Sequence, residues 1–332
     1  MSLGALMAAE VAEAPGVFAR AVRQDTGALA GLLAGRRAVY TIARGSSDAA
    51  ANILSYEIMR ETGLPVTSLP PSVFSLGAGV QMDGAAALVV SQSGASEDLV
   101  RAARGAKGRG AVVVAILNAA GSPVGAEAAM TLRIGAGPER AVPATKTVVG
   151  AIGAGMALLA AIAPGYAARA RSDAAAFAAL GPLTHPRQRE YASALLRSNH
   201  VYVIGRDTGY GAAQEIALKI KETCAIHAEA YSSSEVLHGP MQLATRQLTI
   251  LMLDTGAAHV QDSLNTAEAR LRSAGGTVWR VRPADLGVTG LTPAGAAALL
   301  LTALYPVVWE VAVALGNDPD APATLSKVTQ TR

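Results

Sequence analysis

Apolar residues follow two patterns along the chain, and these patterns alternate. Short runs of consecutive apolar residues, typical of buried strands, are followed by longer segments in which apolar residues recur every three or four positions, as in helices. Strands without polar alternation that are joined by helices predict parallel sheets covered on both faces. The short runs lie at the start of 38–62, at Ala87–Val90 and Val112–Leu117, at the start of 200–223, and at Leu248–Leu253 and Thr277–Val281.

This plan occurs twice. The segments "AVYTIARGSSDAAANILSYEIMRET" (38–62) and "HVYVIGRDTGYGAAQEIALKIKET" (200–223) each combine a β-branched run, a glycine-containing turn and a helical pattern that ends in Glu-Thr. Each is followed by a strand, a helix that begins near Ser96 or Val260, and another strand. The duplication predicts an α/β fold of two similar doubly wound parallel-sheet domains, each an α/β/α sandwich, arranged in tandem.

The composition is that of a chain with a large buried core. Of the 332 residues, 51% are apolar and 16% are charged, which is enough for two packed domains. We place these domains at 1–170 and 185–332, with the boundary in the region rich in proline, glycine and alanine around 164–190. The net charge is only +3 and no run of like charges occurs, so nucleic acid is not an expected partner.

Cysteine content and two uncharged segments indicate in which cellular compartment the protein is expected. The single cysteine, Cys224, excludes an internal disulfide and a cysteine-based zinc site, so we expect a reducing, cytoplasmic environment. Two stretches, Thr147–Ala168 and Gly287–Trp309, carry no charge over the length of a membrane span. They are diluted with alanine, glycine and proline, which favours buried helices over insertion into a membrane. We therefore expect no membrane association, and uncharged helices fit the interface of a homodimer.

The most polar strand-to-helix turn is "LVVSQSGASEDLV" (88–100). Ligands of parallel sheets bind beyond the carboxyl ends of the strands, where free backbone N–H groups and the positive end of a helix dipole attract anions. Gly94 allows close approach of the backbone. The candidate donors are the hydroxyls of Ser91, Ser93 and Ser96, the amide of Gln92, and a hydroxyl of the Ser46-Ser47 turn after the preceding strand. Together they suit a phosphate monoester.

Alternative interpretations of this turn remain open. Ser96 is also a plausible ordinary N-cap, with Glu97 or Asp98 in the first helical turn. The equivalent turn of the second copy, at 254–257, reads Asp-Thr-Gly-Ala, and its carboxylate would repel phosphate. A nucleotide site is disfavoured because no P-loop motif occurs, and the glycines of "GAIGAGMA" (150–157) lie in a helical pattern where they serve packing.

Candidate acid–base groups cluster in the second copy. Lys219 and Glu222 are three residues apart and hence on one face of the predicted helix. Just beyond them, "HAEAYSSSEVLHGP" (227–240) is the densest polar stretch of an otherwise apolar chain, and we interpret it as a serine-rich loop in which function concentrates. Taken singly, the Lys–Glu pair is more often a solvated helix pair, and a single histidine is more often structural.

A metal site is not expected in this stretch. His227, Glu229 and His238 are ligand types, but they lack a recognised ligand spacing. We therefore expect neither a metal nor another cofactor.

Four segments together resemble one family. In chain order these are "SQSGAS", "VPATKT" (142–147), "ALKIKETCAIHAEAYSSSEVLHGP" (217–240) and "LSKVTQ" (325–330). They resemble the tandem sugar-isomerase (SIS) family, in particular the isomerase half of glutamine–fructose-6-phosphate aminotransferase and the stand-alone glucosamine-6-phosphate deaminases of that fold. The resemblance covers nearly the whole chain and is most specific at 217–240.

The resemblance implies binding residues for a sugar phosphate. In this family the first-domain motif holds the phosphate, which here implies Ser47, Ser91, Gln92, Ser93 and Ser96. Val142, Ser326 and Lys327 match positions that contact the sugar. The implied partner is therefore a small-molecule sugar phosphate.

The resemblance also implies catalytic roles. Glu222 matches the base that moves a proton between C1 and C2, and Lys219 stands beside it and polarises the developing enediol. His238 matches the histidine that opens the sugar ring, usually presented by the other subunit of a homodimer. Lys327 matches a lysine that can form an imine with a ketose carbonyl. One carboxylate beside a lysine suits such a proton shuttle, because a nearby amine tunes the carboxylate for the operating pH.

The chain also departs from the synthase pattern. Arg44 stands where the synthase has cysteine, Ala144 where it has serine, and Leu237 where it has lysine. No glutaminase segment with a cysteine nucleophile precedes the first domain, and Cys224 is expected to serve packing. Glutamine-dependent synthesis is therefore not expected unless a separate partner supplies ammonia.

The predicted function is that of a phosphosugar isomerase/deaminase, most simply one that converts glucosamine 6-phosphate to fructose 6-phosphate and ammonia. A deglycase for fructosamine phosphates is a neighbouring alternative with the same fold and proton transfer. A non-catalytic phosphosugar sensor is the alternative from another class. It would require a DNA-binding module, and the roughly 35 residues before the first strand are too few for one.

Overall fold

The computed structural model describes residues 2–327. Their contacts divide them into two compact units. One, which we call the first-sheet unit, contains 14–139 and 146–179. The other, the second-sheet unit, contains 2–13, 140–145 and 180–327. Each unit is built around one parallel sheet, so the predicted α/β class with two doubly wound sheets is confirmed.

The first-sheet unit has five parallel strands in the spatial order β2-β1-β3-β4-β5. They are β1 (Ala38–Ile42), β2 (Val66–Ser68), β3 (Ala85–Ser91), β4 (Val112–Leu117) and β5 (Met130–Arg133). The strand order reverses between β1 and β3, where Ile42 pairs with Val89. The segments that follow these two strands therefore leave the sheet side by side, at the point where doubly wound sheets bind their ligands.

The second-sheet unit has four parallel strands in the order β7-β6-β8-β9, which repeats the first four positions of the other sheet. They are β6 (His200–Gly205), β7 (His227–Ser232), β8 (Thr249–Leu253) and β9 (Thr277–Val281). The interpretation of 227–240 as a loop is wrong for its first half, because His227–Ser232 is a strand. β7 lies at the edge of the sheet and carries polar residues, so it lacks the apolar run that marks a buried strand.

Helices cover the sheets. The first half of the chain has α1 (Ala5–Val22), α2 (Leu29–Leu33), α3 (Gly45–Thr62), α4 (Ser72–Ser75), α5 (Glu97–Gly108), α6 (Pro123–Glu127), α7 (Lys146–Ile162) and α8 (Pro164–Ala178). The second half has α9 (Gln188–Leu196), α10 (Thr208–Lys219), α11 (Gln261–Ser273) and α12 (Pro293–Ala314). A π-helical turn, Ile220–Cys224, continues α10, and short 3-10 turns lie at Glu235–His238, Pro240–Thr245, Ala258–Val260 and Pro283–Leu286.

Both long uncharged stretches form buried helices, as predicted. The first stretch is α7 followed by the start of α8, and the second contains most of α12. Within the described residues, α12 is the one helix long and apolar enough to cross a membrane, and 78% of its most apolar window is buried inside the protein. Such burial is what a core helix of a globular domain shows, so its composition is explained by packing.

The glycines of α7 serve packing, as predicted. A Cβ atom at Gly150 would lie 2.6 Å from Cγ1 of Val17, and one at Gly155 would overlap the side chain of Leu54. Small residues at these positions let α7 approach α1 and α3 closely. The run 150–157 is therefore a helix-packing surface.

Candidate functional site

The turn between β3 and α5 is organised by its own serines. We call residues 91–96 the serine loop. The hydroxyl of Ser91 accepts a hydrogen bond from the backbone N–H of Gly94 at 3.0 Å, and the hydroxyl of Ser93 accepts one from Ala95 at 3.3 Å. Gly94 has a φ of +59°, and a Cβ atom there would overlap Ser122. Glycine is therefore required at this position, and the loop is held in a compact, backbone-exposing form.

Ser96 occupies the N-cap position of α5 without capping the helix through its side chain. The first turn contains the carboxylates of Glu97 and Asp98 instead, and Asp98 Oδ1 accepts from the N–H of Leu99 at 2.9 Å. The interpretation of Ser96 as an ordinary side-chain cap is therefore wrong. Its half-buried hydroxyl makes no capping hydrogen bond to the helix end.

Ser47 lies in the first turn of α3, directly after β1. Because β1 and β3 are adjacent and parallel, the turn containing Ser47 and the serine loop emerge at the same sheet edge. The structure thus places all five predicted phosphate-binding residues on two neighbouring loops of the first-sheet unit: Ser47, Ser91, Gln92, Ser93 and Ser96. Four are half-buried and Ser91 is buried.

At the corresponding edge of the second-sheet unit, the chain itself supplies a buried carboxylate, that of Asp254. Asp254 follows β8 as Ser91 ends β3, and its Oδ1 accepts from the N–H of Gly256 at 2.8 Å, just as Ser91 accepts from Gly94. Arg280 lies 2.8 Å from its Oδ2. Burial alone would raise the pKa of Asp254, but hydrogen bonds from Gln261 and Gly256 and the charge of Arg280 outweigh it and hold the pKa below its usual value. A buried carboxylate at this edge would repel phosphate, in keeping with the expectation that only the first-sheet edge suits it.

The predicted acid–base pair lies at the far end of α10. Nζ of Lys219 contacts the carboxylate of Glu222 directly, and Oε1 of Glu215 lies 3.7 Å away. The Lys219 side chain is 1% exposed, whereas that of Glu222 is 24% exposed. Glu222 belongs to the π-helical turn Ile220–Cys224, a rare form that is frequent at functional sites. The pair is therefore not a solvated helix pair, because its lysine is buried.

Sequence reasoning missed two residues of this cluster. Tyr305, on α12, donates its hydroxyl to Oε1 of Glu215 at 3.1 Å, and both side chains are fully buried. Glu215 could have been found from its position four residues before Lys219, which places both on one helix face. Tyr305 is 90 residues away from Glu215 in sequence, and no local pattern points to it.

Cys224, at the end of the same turn, serves packing as predicted. Its Sγ lies 3.5 Å from both the carbonyl oxygen of Val308 and the hydroxyl of Thr223. Burial raises the pKa of the Cys224 thiol to about 11, partly offset by the hydrogen bond with Thr223. The thiol is therefore protonated at neutral pH, whereas a cysteine nucleophile reacts as its thiolate.

The remaining predicted residues are placed as follows. His238 is exposed at the end of the 3-10 turn Glu235–His238, and no hydrogen bond of the described residues joins it to Glu222. The N–H of Val142 donates to the carbonyl of Asp320 at 3.0 Å. Ser326 is exposed and Lys327 is half-buried at the end of the described chain. The roles of these four residues in sugar binding and catalysis stay predictions.

His227 and Glu229 are engaged separately from His238. Nδ1 of His227 lies 3.3 Å from Nδ1 of His200, and Glu229 accepts from the hydroxyl of Tyr231 at 2.9 Å. Over residues 2–327, no group of three or more histidine, cysteine or acidic side chains is arranged to hold a metal ion.

Comparisons with known proteins agree with this architecture. A family model described as the SIS domain matches residues 32–161 and 194–281, more than half of the chain. The glutamine–fructose-6-phosphate aminotransferase (isomerizing) of Aeropyrum pernix is 35% identical over 329 residues, and 90% of this chain aligns with 52% of that protein. The chain therefore spans about half the length of this relative.

Solved structures match over nearly their whole length. A suggested phosphosugar isomerase from Silicibacter pomeroyi is 34% identical with a TM-score of 0.78, and the match covers 95% of this chain and 99% of that one. The glucosamine-6-phosphate deaminase of Thermotoga maritima is 19% identical with a TM-score of 0.77, covering 98% of this chain and 100% of that one. At this lower identity the likeness concerns the fold alone.

Proposed function

Because the chain belongs to the SIS-domain family, we propose that it is a phosphosugar isomerase of the deaminating kind, which acts on an amino-sugar 6-phosphate. The preferred substrate is glucosamine 6-phosphate, and the products are fructose 6-phosphate and ammonia. The observation that carries this proposal is the contact between the buried Lys219 ammonium and the partly exposed Glu222 carboxylate. A carboxylate held in this way is suited to take a proton from carbon and return it to the neighbouring carbon.

The phosphate of the substrate is assigned to the serine loop and Ser47. The free N–H groups at the start of α5 and the uncommitted hydroxyl of Ser96 support this assignment, because a phosphate oxygen accepts several hydrogen bonds at once. The edge of the second-sheet unit is disfavoured as the phosphate site, since Asp254 already places a carboxylate there.

The proposed chemistry begins after the sugar ring opens, a step assigned to His238. Glu222 removes the proton from C2 of the open aldehyde, which gives an enolamine, and Lys219 stabilises the negative charge that develops on oxygen. Return of the proton to C1 gives an imine at C2. Water adds to this imine, ammonia leaves, and the ketone of fructose 6-phosphate remains. The overall balance is one water consumed and one ammonia released.

Lys327 and the two sugar contacts complete the assignment. A lysine amine is a nucleophile that can form an imine with a ketose carbonyl, so Lys327 is assigned to hold the ketose form. Val142 and Ser326 are assigned to the sugar hydroxyls. Asp320, whose carbonyl accepts from Val142, anchors that backbone segment.

Deglycation of a fructosamine phosphate is the second candidate. It moves a proton between the same two carbons but releases an amine from C1, so it needs the same acid–base pair. Ala144 and Leu237, which replace the serine and lysine of the synthase pattern, favour a change of substrate of this kind. The sensor alternative is weaker, since a binding domain has no use for a buried lysine beside a carboxylate in a π-helical turn.

The test compares three substrates. Purified protein is incubated separately with glucosamine 6-phosphate, with a fructosamine 6-phosphate and with unphosphorylated glucosamine, and ammonia and ketose phosphate are measured together. We expect equal amounts of ammonia and fructose 6-phosphate from the first substrate and little from the third. Turnover of the fructosamine alone would favour the deglycase. Binding of all phosphosugars without turnover would favour a sensor.

A further inference from the structure

Arg44 lies at the entrance to the serine loop. It is the N-cap residue of α3, two positions after β1, and its carbonyl accepts from the N–H of Ser47 at 3.1 Å. The strand order reverses between β1 and β3, so Arg44 and the serine loop occupy the same sheet edge. The backbone of Arg44 thus belongs to one of the two loops assigned to phosphate.

An ion pair directs the Arg44 side chain toward the other loop. Its Nε lies 3.0 Å from Oδ2 of Asp98, in the first turn of α5. The Asp98 side chain is fully buried, whereas that of Arg44 is 51% exposed. Because the contact uses Nε alone, the two terminal nitrogens of the guanidinium have no hydrogen-bond partner among the described residues. In a guanidinium, these two nitrogens can donate two parallel hydrogen bonds to a phosphate, a bidentate contact.

Arg44 is also the only cationic residue of these loops. Neither 43–50 nor 91–100 contains a lysine or a second arginine. A phosphate monoester carries nearly two negative charges at pH 7, and hydroxyls and N–H groups supply only partial charges. Asp48 and Glu97 add negative charge nearby, and burial raises the pKa of Asp48 against the influence of Ser68 and Arg44. A cation at this edge would therefore offset the charge of a dianion.

The corresponding arginine of the second-sheet unit, Arg206, has a differently oriented side chain. Arg206 follows β6 as Arg44 follows β1, but its guanidinium donates to the hydroxyls of Ser232 at 2.9 Å and Ser234 at 2.5 Å. It is thus directed toward the end of β7 and away from the turn after β8. In the first-sheet unit, Asp98 instead holds the arginine at the β3 turn.

We infer that Arg44 is the cationic contact of the phosphate site, with Asp98 as the residue that positions its guanidinium over the serine loop. This inference rests on the proposed function, since it concerns the same ligand. It assigns selectivity for a phosphorylated sugar over a neutral one to a charged side chain in addition to the serines. It also makes phosphate affinity dependent on salt. Dissolved ions screen the attraction between the charged guanidinium and phosphate more strongly than they weaken hydrogen bonds from neutral donors.

The test measures binding of inorganic phosphate and glucosamine 6-phosphate by calorimetry at two salt concentrations. The variants are Arg44→Met, Arg44→Lys and Asp98→Asn, and Arg101→Met is the matched control. Arg101 pairs with Glu97 on the same helix, and both side chains are exposed. Circular dichroism checks that each variant folds, and Arg44→Lys keeps the test informative if removal of the buried Asp98 carboxylate prevents folding.

We expect Arg44→Met to weaken phosphate binding by about tenfold to a hundredfold and to reduce its salt dependence. Arg44→Lys should lose part of this affinity, since lysine cannot make the bidentate contact. Arg101→Met should stay within about twofold of the unmodified protein. In turnover, Arg44→Met should raise KM far more than it lowers kcat.

Two outcomes separate this inference from the proposed function. If Arg44→Met binds phosphate as tightly as Arg101→Met and the unmodified protein, the inference is wrong while the function stands. If Arg44→Met loses phosphate binding but no amino sugar phosphate is turned over, the inference stands and the proposed reaction fails. Failure of the unmodified protein to bind phosphate would overturn both.

Discussion

The side chain of Lys219 is fully buried, an environment that lysine rarely occupies. Lysine is almost never fully buried unless it is paired. Lys219 is held by Glu222 and lies near Glu215, and Glu215 accepts from Tyr305. An uncompensated charge at this depth would cost several kcal/mol, so the second carboxylate helps to keep the lysine charged beside its partner. The arrangement leaves Glu222 as the partly exposed member of the cluster.

Replacement of Glu222 by Gln tests its assigned role at the residue scale. Glutamine keeps the shape and a hydrogen-bond acceptor but is not a base, so exchange of the C2 proton with deuterated water should fall by at least about a hundredfold. Binding of the sugar phosphate should change little. Proton exchange is followed by NMR and binding by calorimetry.

Glu229→Gln provides the matched control, because Glu229 pairs with Tyr231 and has no assigned role. It should leave exchange unchanged. Normal exchange in the Glu222 variant would show that another group is the base.

At the scale of elements, the turn from β6 to α10 stores backbone strain. Asp207 is the N-cap of α10 and has a φ of +57° and a ψ of −132°, a region that suits glycine. Its carboxylate accepts from the N–H of Thr208 at 2.6 Å and lies 2.8 Å from Nε2 of His259. The matching residue after β1 is Gly45, with a φ of +52°. Both copies use the same turn, and only one has a side chain there.

Two substitutions of Asp207 separate strain from side-chain contacts. Asp207→Ala and Asp207→Gly both remove the cap and the contact with His259, but only glycine relieves the strained φ. We expect the glycine variant to be more stable than the alanine variant by about 1 kcal/mol in the free energy of unfolding, measured with urea. Gly45→Ala should be destabilising for the same reason. Equal stability of the two Asp207 variants would show that the turn is unstrained.

At the scale of the whole molecule, the two units share a plan but differ in the chemistry of their sheet edges. The order of the first four strands is the same in both sheets, and each has a turn organised by a side chain that accepts a backbone N–H. In the first-sheet unit that side chain is Ser91, which carries no charge. In the second-sheet unit it is Asp254, neutralised by Arg280. The two sheets thus share one scaffold, and the residue at this turn sets the charge of each edge.

The homodimer with shared sites stays a prediction, and mixing two inactive variants tests it. Glu222→Gln and His238→Asn should each be nearly inactive. If His238 serves the partner's site, a mixed dimer contains one site with both original residues, and an equal mixture should recover about a quarter of full activity. The mixture is prepared by refolding together, and mass measurement checks the dimer. If both residues act within one chain, no activity should return.

The sequence alone determined what short-range patterns encode. Apolar runs located β1, β3, β4, β6, β8 and β9, five of which are interior strands, because a buried parallel strand needs consecutive apolar residues. Helical spacing placed Lys219 beside Glu222. The serine loop was likewise evident as a polar turn after an apolar strand. The edge strands β2, β5 and β7 were missed, since a strand at the edge of a sheet has less need of an apolar run.

Only the tertiary structure decided the contacts between distant residues. The hydrogen bond from Tyr305 to Glu215 and the ion pair from Arg44 to Asp98 join elements that strand order and helix packing bring together. No spacing in the sequence records them, because a side chain's partner is set by the path of the chain between the two residues. The sequence therefore determines which residue types occur at the Lys219 cluster and at Arg44. The fold determines how deeply these residues are buried and which charges lie beside them.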